Sequence, residues 1–596
     1  MKNPTCKREF FLKVCFLIGA LFSLFCAMGF APVKIEQLPS HSVKLLTDPF
    51  LQLPTEDSVR VVWFTEFQGT RHWVNYGKGL EKSVNAFSTR MTRMREDHKS
   101  RVKGDFNKIT ERPIWRHEAL VSGLPAGKRL PYRVVSVRED GQCARSDTFT
   151  LQAKPRPRTP LKILLTSDHQ LKPMTTANLQ KVEEIIGRVD AIFLAGDLVH
   201  VPDRASEWFD DERGSSFFPA LQGKGHFVLK NEEIITEYRG GQIIQFAPLY
   251  TACGNHEVMG RYKNKTELWD EFNDPRPQWV AESEYEKRKE QINPTNDPII
   301  KEQWIKDHSF NIITYQEILT LPESQPGGEL YYAETFGDIR LISLFITRIW
   351  RTPSLGENAK GKFRESNNDL SHPDRWGYGS FIFESVNKGS EQYNWLVEEL
   401  KSPEFKEANY KIVMFHYQYH SLGQNVVPAF TDPEQIIEKE EDGTIKAIRY
   451  EYPLDKDYLA NDIIPLLEKA GVHLVLYGHS HLWNRYVSEE GINYLETSNV
   501  GETYGAHVGE KKRLGIPPNG YKETYQPTGN PYGLEPVIPS LFPLEKNAPY
   551  IASNDYTVFS ILDTEKGTVS SYYFDTRKED SDVIKFDEFP LKANHQ

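Results

Sequence analysis

Five short apolar runs in this chain each end in side chains that bind metal ions. Leu161 to Thr166 ends in Ser167-Asp168-His169-Gln170. Ala191 to Ala195 ends in Gly196-Asp197-Leu198-Val199-His200. Leu249 to Cys253 ends in Gly254-Asn255-His256-Glu257. Lys411 to Phe415 ends in His416, and Val472 to Tyr477 ends in Gly478-His479-Ser480-His481. Two carboxylates, an amide and several imidazoles are enough to surround two metal ions, and paired ions promote hydrolysis by activating a water. A single Gly-Asp is more often a turn, and a single buried His more often a satisfied core residue. The inference rests on all five occurring in one order, each directly after a strand-length run.

Such side chains must be brought to one place by the elements that carry them. The apolar runs have strand length and no alternation, as in sheets covered on both faces. Ala177 to Val189 lies between the first two and reads as a helix, with Leu179, Val182, Ile186 and Val189 on one face. This grammar predicts an α/β layered domain over 161–580, in which strand carboxyl ends open on one crevice. Stretches 259–330, 421–457 and 501–550 break the grammar and are expected to be insertions that shape the site. Ahead of this domain, 42–152 reads as all-β. Val59, Val61 and Trp63 alternate with Arg60, Val62 and Phe64, and Gly123-Leu124-Pro125-Ala126-Gly127 leads into Tyr132-Arg133-Val134, a pattern resembling a tyrosine corner. The Pro-rich stretch 153–160 separates the two as a stiff linker.

The motif order resembles the calcineurin-like metallophosphoesterases, and with a β-domain in front the whole chain is similar to purple acid phosphatases. Gly389-Ser390-Glu391-Gln392-Tyr393-Asn394-Trp395-Leu396 also resembles a helix that the family places between its third and fourth motifs. The resemblance implies a layered β-sandwich phosphoesterase domain flanked by helices, preceded by a smaller fibronectin type III-like sandwich. It implies two metal ions, Fe, Zn or Mn. Asp197 would bridge them, Asp168 and His481 would bind the first, and Asn255, His416 and His479 the second. His256 would face the phosphate, with Glu257 orienting it, and His420 is a weaker candidate for phosphate contact. One position departs from the purple enzymes, whose second motif ends in Tyr; here His200 stands in its place. Position 170, a His in many relatives, is Gln. His200 is the economical replacement ligand, imidazole suiting several metals where phenolate favours ferric iron; otherwise Gln170 or water completes the first site.

The expected function is therefore an exported, metal-dependent phosphatase that hydrolyses phosphomonoesters by attack of a hydroxide held between two ions. A phosphodiesterase or nucleotidase on the same fold is the alternative, and an envelope binding protein with a degenerate site is the alternative of another class. Tyr504, Tyr521, Tyr525, Trp376 and Tyr378 are candidates to stack a nucleobase, or simple loop anchors. No Gly-x-Ser-x-Gly elbow and no Walker-type loop is present, which disfavours a serine hydrolase and an NTP-driven machine.

Composition agrees with an ordinary globular protein. The 596 residues carry 72 Lys+Arg against 83 Asp+Glu, a net charge of −11, which argues against binding a nucleic-acid polymer. Lys2, Lys7, Arg8 and Lys13 precede an uncharged run from Val14 to Ala31. This reads as a signal peptide cleaved near Ala27-Met28-Gly29, or as a retained anchor, which is the one route to a membrane. Either way a secreted, periplasmic or cell-envelope location is expected. Of five cysteines, Cys6, Cys15 and Cys26 lie in that segment and only Cys143 and Cys253 remain, so no disulfide scaffold is expected. One glycosylation sequon occurs, at 264–266. Oligomeric state is not legible.

Overall fold

A computed structural model describes residues 43–231, 234–263, 267–352, 356–423, 428–508, 513 and 549–591. The segment expected to direct export, with Cys6, Cys15 and Cys26, the sequon, Tyr521 and Tyr525 lie outside these residues, as does most of 501–550.

The five apolar runs become strands where they were expected, Lys162–Thr166, Ala191–Leu194, Leu249–Thr251, Tyr410–Met414 and Leu474–Tyr477, and Ile339–Ser343 joins them. They divide between two six-stranded mixed sheets. In the first, Leu249–Thr251, Ala191–Leu194 and Lys162–Thr166 run parallel, and the antiparallel strands Tyr556–Asp563, Thr568–Asp575 and Ile584–Pro590 extend it. This sheet therefore runs past the boundary expected at 580. In the second, Ile339–Ser343, Tyr410–Met414, Leu474–Tyr477 and Asn493–Thr497 are parallel, with antiparallel edges Tyr332–Phe336 and Trp483–Val487.

One apolar core joins residues of both sheets, among them Leu164, Phe193, Leu341, Met414, Leu476 and Val558. A second core covers the other face of the second sheet, where Val413 and Val475 meet Leu396 and Leu467 of the helices Glu391–Glu399 and Ile464–Ala470. Ser390 caps the former, its hydroxyl accepting from the Tyr393 amide. These contacts explain the continuous hydrophobicity of the strands: neither face meets water. The expected helix after the first strand runs from Thr175 to Lys181, continues as a π turn over Val182–Ile186 and stops at Gly187, whose φ is 76°.

Within residues 50–151, two antiparallel sheets pack around Val61, Trp63, Val74, Tyr132 and Val134, and a two-stranded ribbon pairs Arg95–Glu96 with Thr110–Glu111. The other face of strand Val59–Thr65 is covered as well. Val62 and Phe64 are fully buried in the main core, and the Phe64 ring lies 5.1 Å from Phe209 and 5.3 Å from Phe218. The resemblance to a tyrosine corner also needs correcting. Tyr132 is buried, so its hydroxyl needs an acceptor. It donates to the carbonyl of Gln245 at 2.7 Å, outside the sandwich, rather than to its own corner. All described residues from Lys44 onward belong to one compact unit. Stretch 259–330 folds into the helices Leu268–Phe272, Gln278–Ile292, Pro298–His308 and Ile313–Ile318, and 421–457 contains a two-stranded ribbon. Among the described residues no helix is long and apolar enough to cross a membrane.

Candidate metal centre and substrate cavity

Five of the parallel strands deliver polar residues in the turns that follow them. Those turns are tight: Asp168, Asp197, His479 and His481 all have left-handed backbones, with φ of 58°, 58°, 79° and 54°. Non-glycine residues in this region carry strain, which clusters at functional sites. The glycines beside them are required by close approach. A Cβ on Gly478 would lie 2.1 Å from an Asp168 carboxylate oxygen, and one on Gly254 would lie 2.3 Å from an Asp197 oxygen.

The hydrogen bonds fix which atoms carry lone pairs. His416 Nδ1 lies 2.8 Å from the Ala195 carbonyl, an acceptor only, so Nδ1 carries the proton. In the neutral ring Nε2 then presents a lone pair. It faces Asp197 Oδ2 at 3.2 Å, Asn255 Oδ1 at 3.2 Å and His479 Nδ1 at 3.1 Å. Electron pairs converging from four side chains repel unless a cation sits among them. The ligand atoms of Asp197, His416 and His479 lie within 4.8 Å of one another, all buried, and His479 Nε2 is buried without a partner. The same logic holds next door. His481 Nδ1 donates to the Glu502 carbonyl at 3.0 Å, which turns its Nε2 toward Asp168 Oδ1 at 3.5 Å. With no cation, protons take that role. Burial alone would lower the His416 pKa, but Asp197 and Asp168 outweigh it and raise it to about 10. Oxygen and imidazole donors in this arrangement fit divalent metal ions.

His256 stands beside this cluster. Its main-chain N–H donates to Asp197 Oδ1 at 2.9 Å, and its Nδ1 donates to the His200 carbonyl at 2.7 Å. The second ring nitrogen is left in the wall of a cavity of about 220 Å³ lined by Asp197, Asn255, His256, His479 and His481. Burial holds the His256 pKa below the usual histidine value, opposed by Asp197.

Three expected residues sit differently. Glu257 does not touch the His256 ring; its carboxylate accepts from the amides of Asp197, Leu198 and Gly254 at 2.7–2.8 Å and so clamps two ligand turns together. The His200 ring is not part of the cluster. It stacks on Trp269 at 4.7 Å and faces His256 at 5.2 Å, in the cavity wall. The reason is local: Glu207 accepts from the amides of His200 and Val201, which fixes the turn and sends the ring outward. His420 does not line the cavity; it is buried against Tyr419, Tyr486 and Tyr494. Gln170, by contrast, reaches inward. Its Nε2 donates to Asp197 Oδ2 at 2.6 Å, and its Oε1 is buried without a partner. Of the aromatic candidates, Tyr504 lines the cavity and stacks on His481 at 4.8 Å, whereas Trp376 and Tyr378 pack on each other.

Sequence reasoning missed the supports. Glu496 is fully buried and accepts from Ser480 N, Ser421 Oγ and Asn484 Nδ2, holding the Gly-His-Ser-His turn. Arg95, in the N-terminal region, donates to Asp203 at 2.6 Å and to Glu271 at 2.8 Å, all three buried. Asp97 accepts from the Leu268 amide and from Arg204, which in turn pairs with Glu207. An arm of the first β-domain thus braces the turn after Asp197 and the helix Leu268–Phe272. No spacing rule in one sequence announces such pairs.

A family model described as calcineurin-like phosphoesterase matches residues 161–482. Fifteen chains of solved structures match significantly. One is the purple acid phosphatase PPD1 isolated from yellow lupin (Lupinus luteus) seeds, 14% identical with a TM-score of 0.48, the match covering 91% of this chain and 73% of that one. No curated protein matches the chain significantly.

Proposed function

Because the chain belongs to the calcineurin-like phosphoesterase family, we propose that its buried cluster serves the metal-dependent hydrolysis of phosphate monoesters outside the cytoplasm. The observation that carries this reading is the meeting of lone pairs from Asp197, Asn255 and His479 at His416 Nε2, beside an open cavity. These four residues would hold one ion, and Asp168 and His481, with Asp197, would hold the other. Gln170, whose Nε2 donates to Asp197 and whose Oε1 is buried and unpartnered, is our candidate to complete the first site in place of the outward-stacked His200 ring. The donors suit Fe, Zn or Mn. Paired ions of this kind supply a water of lowered pKa and neutralise charge on phosphate oxygens.

The chain's own groups do the rest. With Nδ1–H held on the His200 carbonyl, any further proton on the His256 ring sits at Nε2; in that imidazolium form His256 would donate from Nε2 to a phosphate oxygen and pass the proton to the leaving oxygen. Glu257 and Glu496 keep the ligand turns in register. The basic start and uncharged run before Ala31 support export. The test is metal analysis of the purified protein alongside a panel of phosphomonoesters, diesters and nucleotides. Two ions per chain and faster monoester hydrolysis are expected; a preference for diesters would replace the monoesterase reading.

A further inference from the structure

Beyond the ligand cluster, the cavity wall is apolar and aromatic. Trp269 and Phe272 come from the helix Leu268–Phe272, Trp350 and Phe383 from the chain after Ile339–Ser343, and Tyr504 stacks on His481. Trp269 is 36% exposed, Trp350 39% and Tyr504 52%, so three large aromatic side chains meet water around one cavity. Scattered exposed aromatics are ordinary; several converging on one concave site beside a reactive centre mark a place where a ligand covers them. Among the described residues lining the cavity there is no Lys or Arg, and beyond the cluster and His200 the polar side chains are those of Asn273, Trp269, Trp350 and Tyr504.

This wall is rigid. The rings of His200, Trp269, Phe272 and His256 form a closed set of stacks, with neighbouring centroids 4.7, 5.2, 4.9 and 5.2 Å apart. Below them, Arg95 pins Glu271 and Asp97 pins the Leu268 amide. A preformed apolar face binds a flat ligand without an ordering cost.

We propose that this wall is a subsite for the leaving group, and that it selects phosphate monoesters of flat, aromatic alcohols over those of sugars, polyols or already phosphorylated alcohols. The proposal rests on the monoesterase reading above. In the reaction, water oxygen bonds to phosphorus, the bond from phosphorus to the alcohol oxygen breaks, and one water proton ends on the alcohol. An aromatic group loses its hydration against Trp269 and Trp350. A polyol placed there leaves hydroxyls unpaired, and a second phosphate finds no described cation in the wall.

Benzyl and glycerol phosphates test this fairly, because their leaving alcohols have similar acidity and differ mainly in what they offer the wall. With metal-loaded full-length protein, kcat/KM for benzyl phosphate is expected to exceed that for glycerol phosphate about 10- to 100-fold, the effect of burying one apolar side-chain equivalent. Calorimetry with the non-hydrolysed pair benzylphosphonate and 2,3-dihydroxypropylphosphonate is expected to show the same order in Kd. Trp269→Ala combined with Trp350→Ala should cost the benzyl compounds about tenfold more than the polyol ones. Equal Kd values in the wild type, or equal losses in the variant, would overturn the subsite. Preferential binding of benzylphosphonate with hydrolysis of neither monoester would overturn the monoesterase reading and leave the subsite standing.

Discussion

The ring of His256 is held by the main chain of His200: Nδ1 lies 2.7 Å from the His200 carbonyl oxygen, while the His200 side chain turns away to stack on Trp269. The two residues therefore contribute in different ways. One presents a ring nitrogen to the cavity, and the other supplies the peptide group that fixes which nitrogen that is. The distinction separates two variants that sequence alone would treat alike.

His256→Ala is expected to lower turnover by about 10²–10⁴, the range for a positioned acid or charge stabiliser, with metal content unchanged. Steady-state kinetics with metal analysis on the same preparation checks this. Loss of metal would make His256 a ligand instead.

His200→Ala keeps the carbonyl and removes only the stacked ring. Metal content is expected to stay the same and turnover to fall less than tenfold, an effect of the loosened wall. Gln170→Ala should weaken one of the two ions, because it removes both the amide N–H that bonds Asp197 and the buried, unpartnered amide oxygen. Metal titrations of the two variants give opposite results if His200 is the ligand and Gln170 is not.

Arg95→Met leaves Asp203 and Glu271 buried without their cation. Breaking such a pair costs about 3–5 kcal/mol. Chemical denaturation is expected to show that loss. KM for benzyl phosphate should also rise, because Glu271 lies in the helix that carries Trp269. An unchanged denaturation midpoint would show that the arm merely touches the helix.

The strand-end motifs were legible because parallel strands deliver their following residues to one edge, and because Gly before Asp197, Asn255 and His479 reports close approach. The supports were not legible. Arg95 and Glu271 are 176 residues apart, and nothing in either segment's periodicity points to the other. The direction of the His200 ring was not legible for another reason. Spacing after Asp197 fixes where a residue sits along the turn, but Glu207 decides which way the ring points. Alternation in Val59–Thr65 marks one buried face, but it cannot reveal the second layer that packs Val62 and Phe64 into the main core.

His117 gives the sandwich a pH response. It is stacked on His72 at 3.6 Å, and its ring nitrogens bond Thr65 and Ser88. Burial, with the nearby His72 and Arg116, pushes its pKa down to about 2, against about 6.5 in the unfolded chain. The unfolded chain takes up this proton first, so the group's contribution to stability is intact above about pH 6.5 and is lost as pH falls toward 2. In metal-free protein, His117→Gln should flatten the decline in stability between pH 7 and pH 5 relative to wild type. Parallel pH profiles would remove His117 from that role.

The central claim is that lone pairs from four side chains at His416 Nε2 mark a metal ion on which hydrolysis depends. Its most direct test is metal content and phosphomonoesterase activity measured together for wild type, Asp197→Asn and His479→Ala. Wild type is expected to hold two ions per chain and hydrolyse monoesters, and both variants to lose metal and activity together. A variant that keeps two ions and full activity, or a metal-free wild type that hydrolyses at the same rate, would contradict the claim.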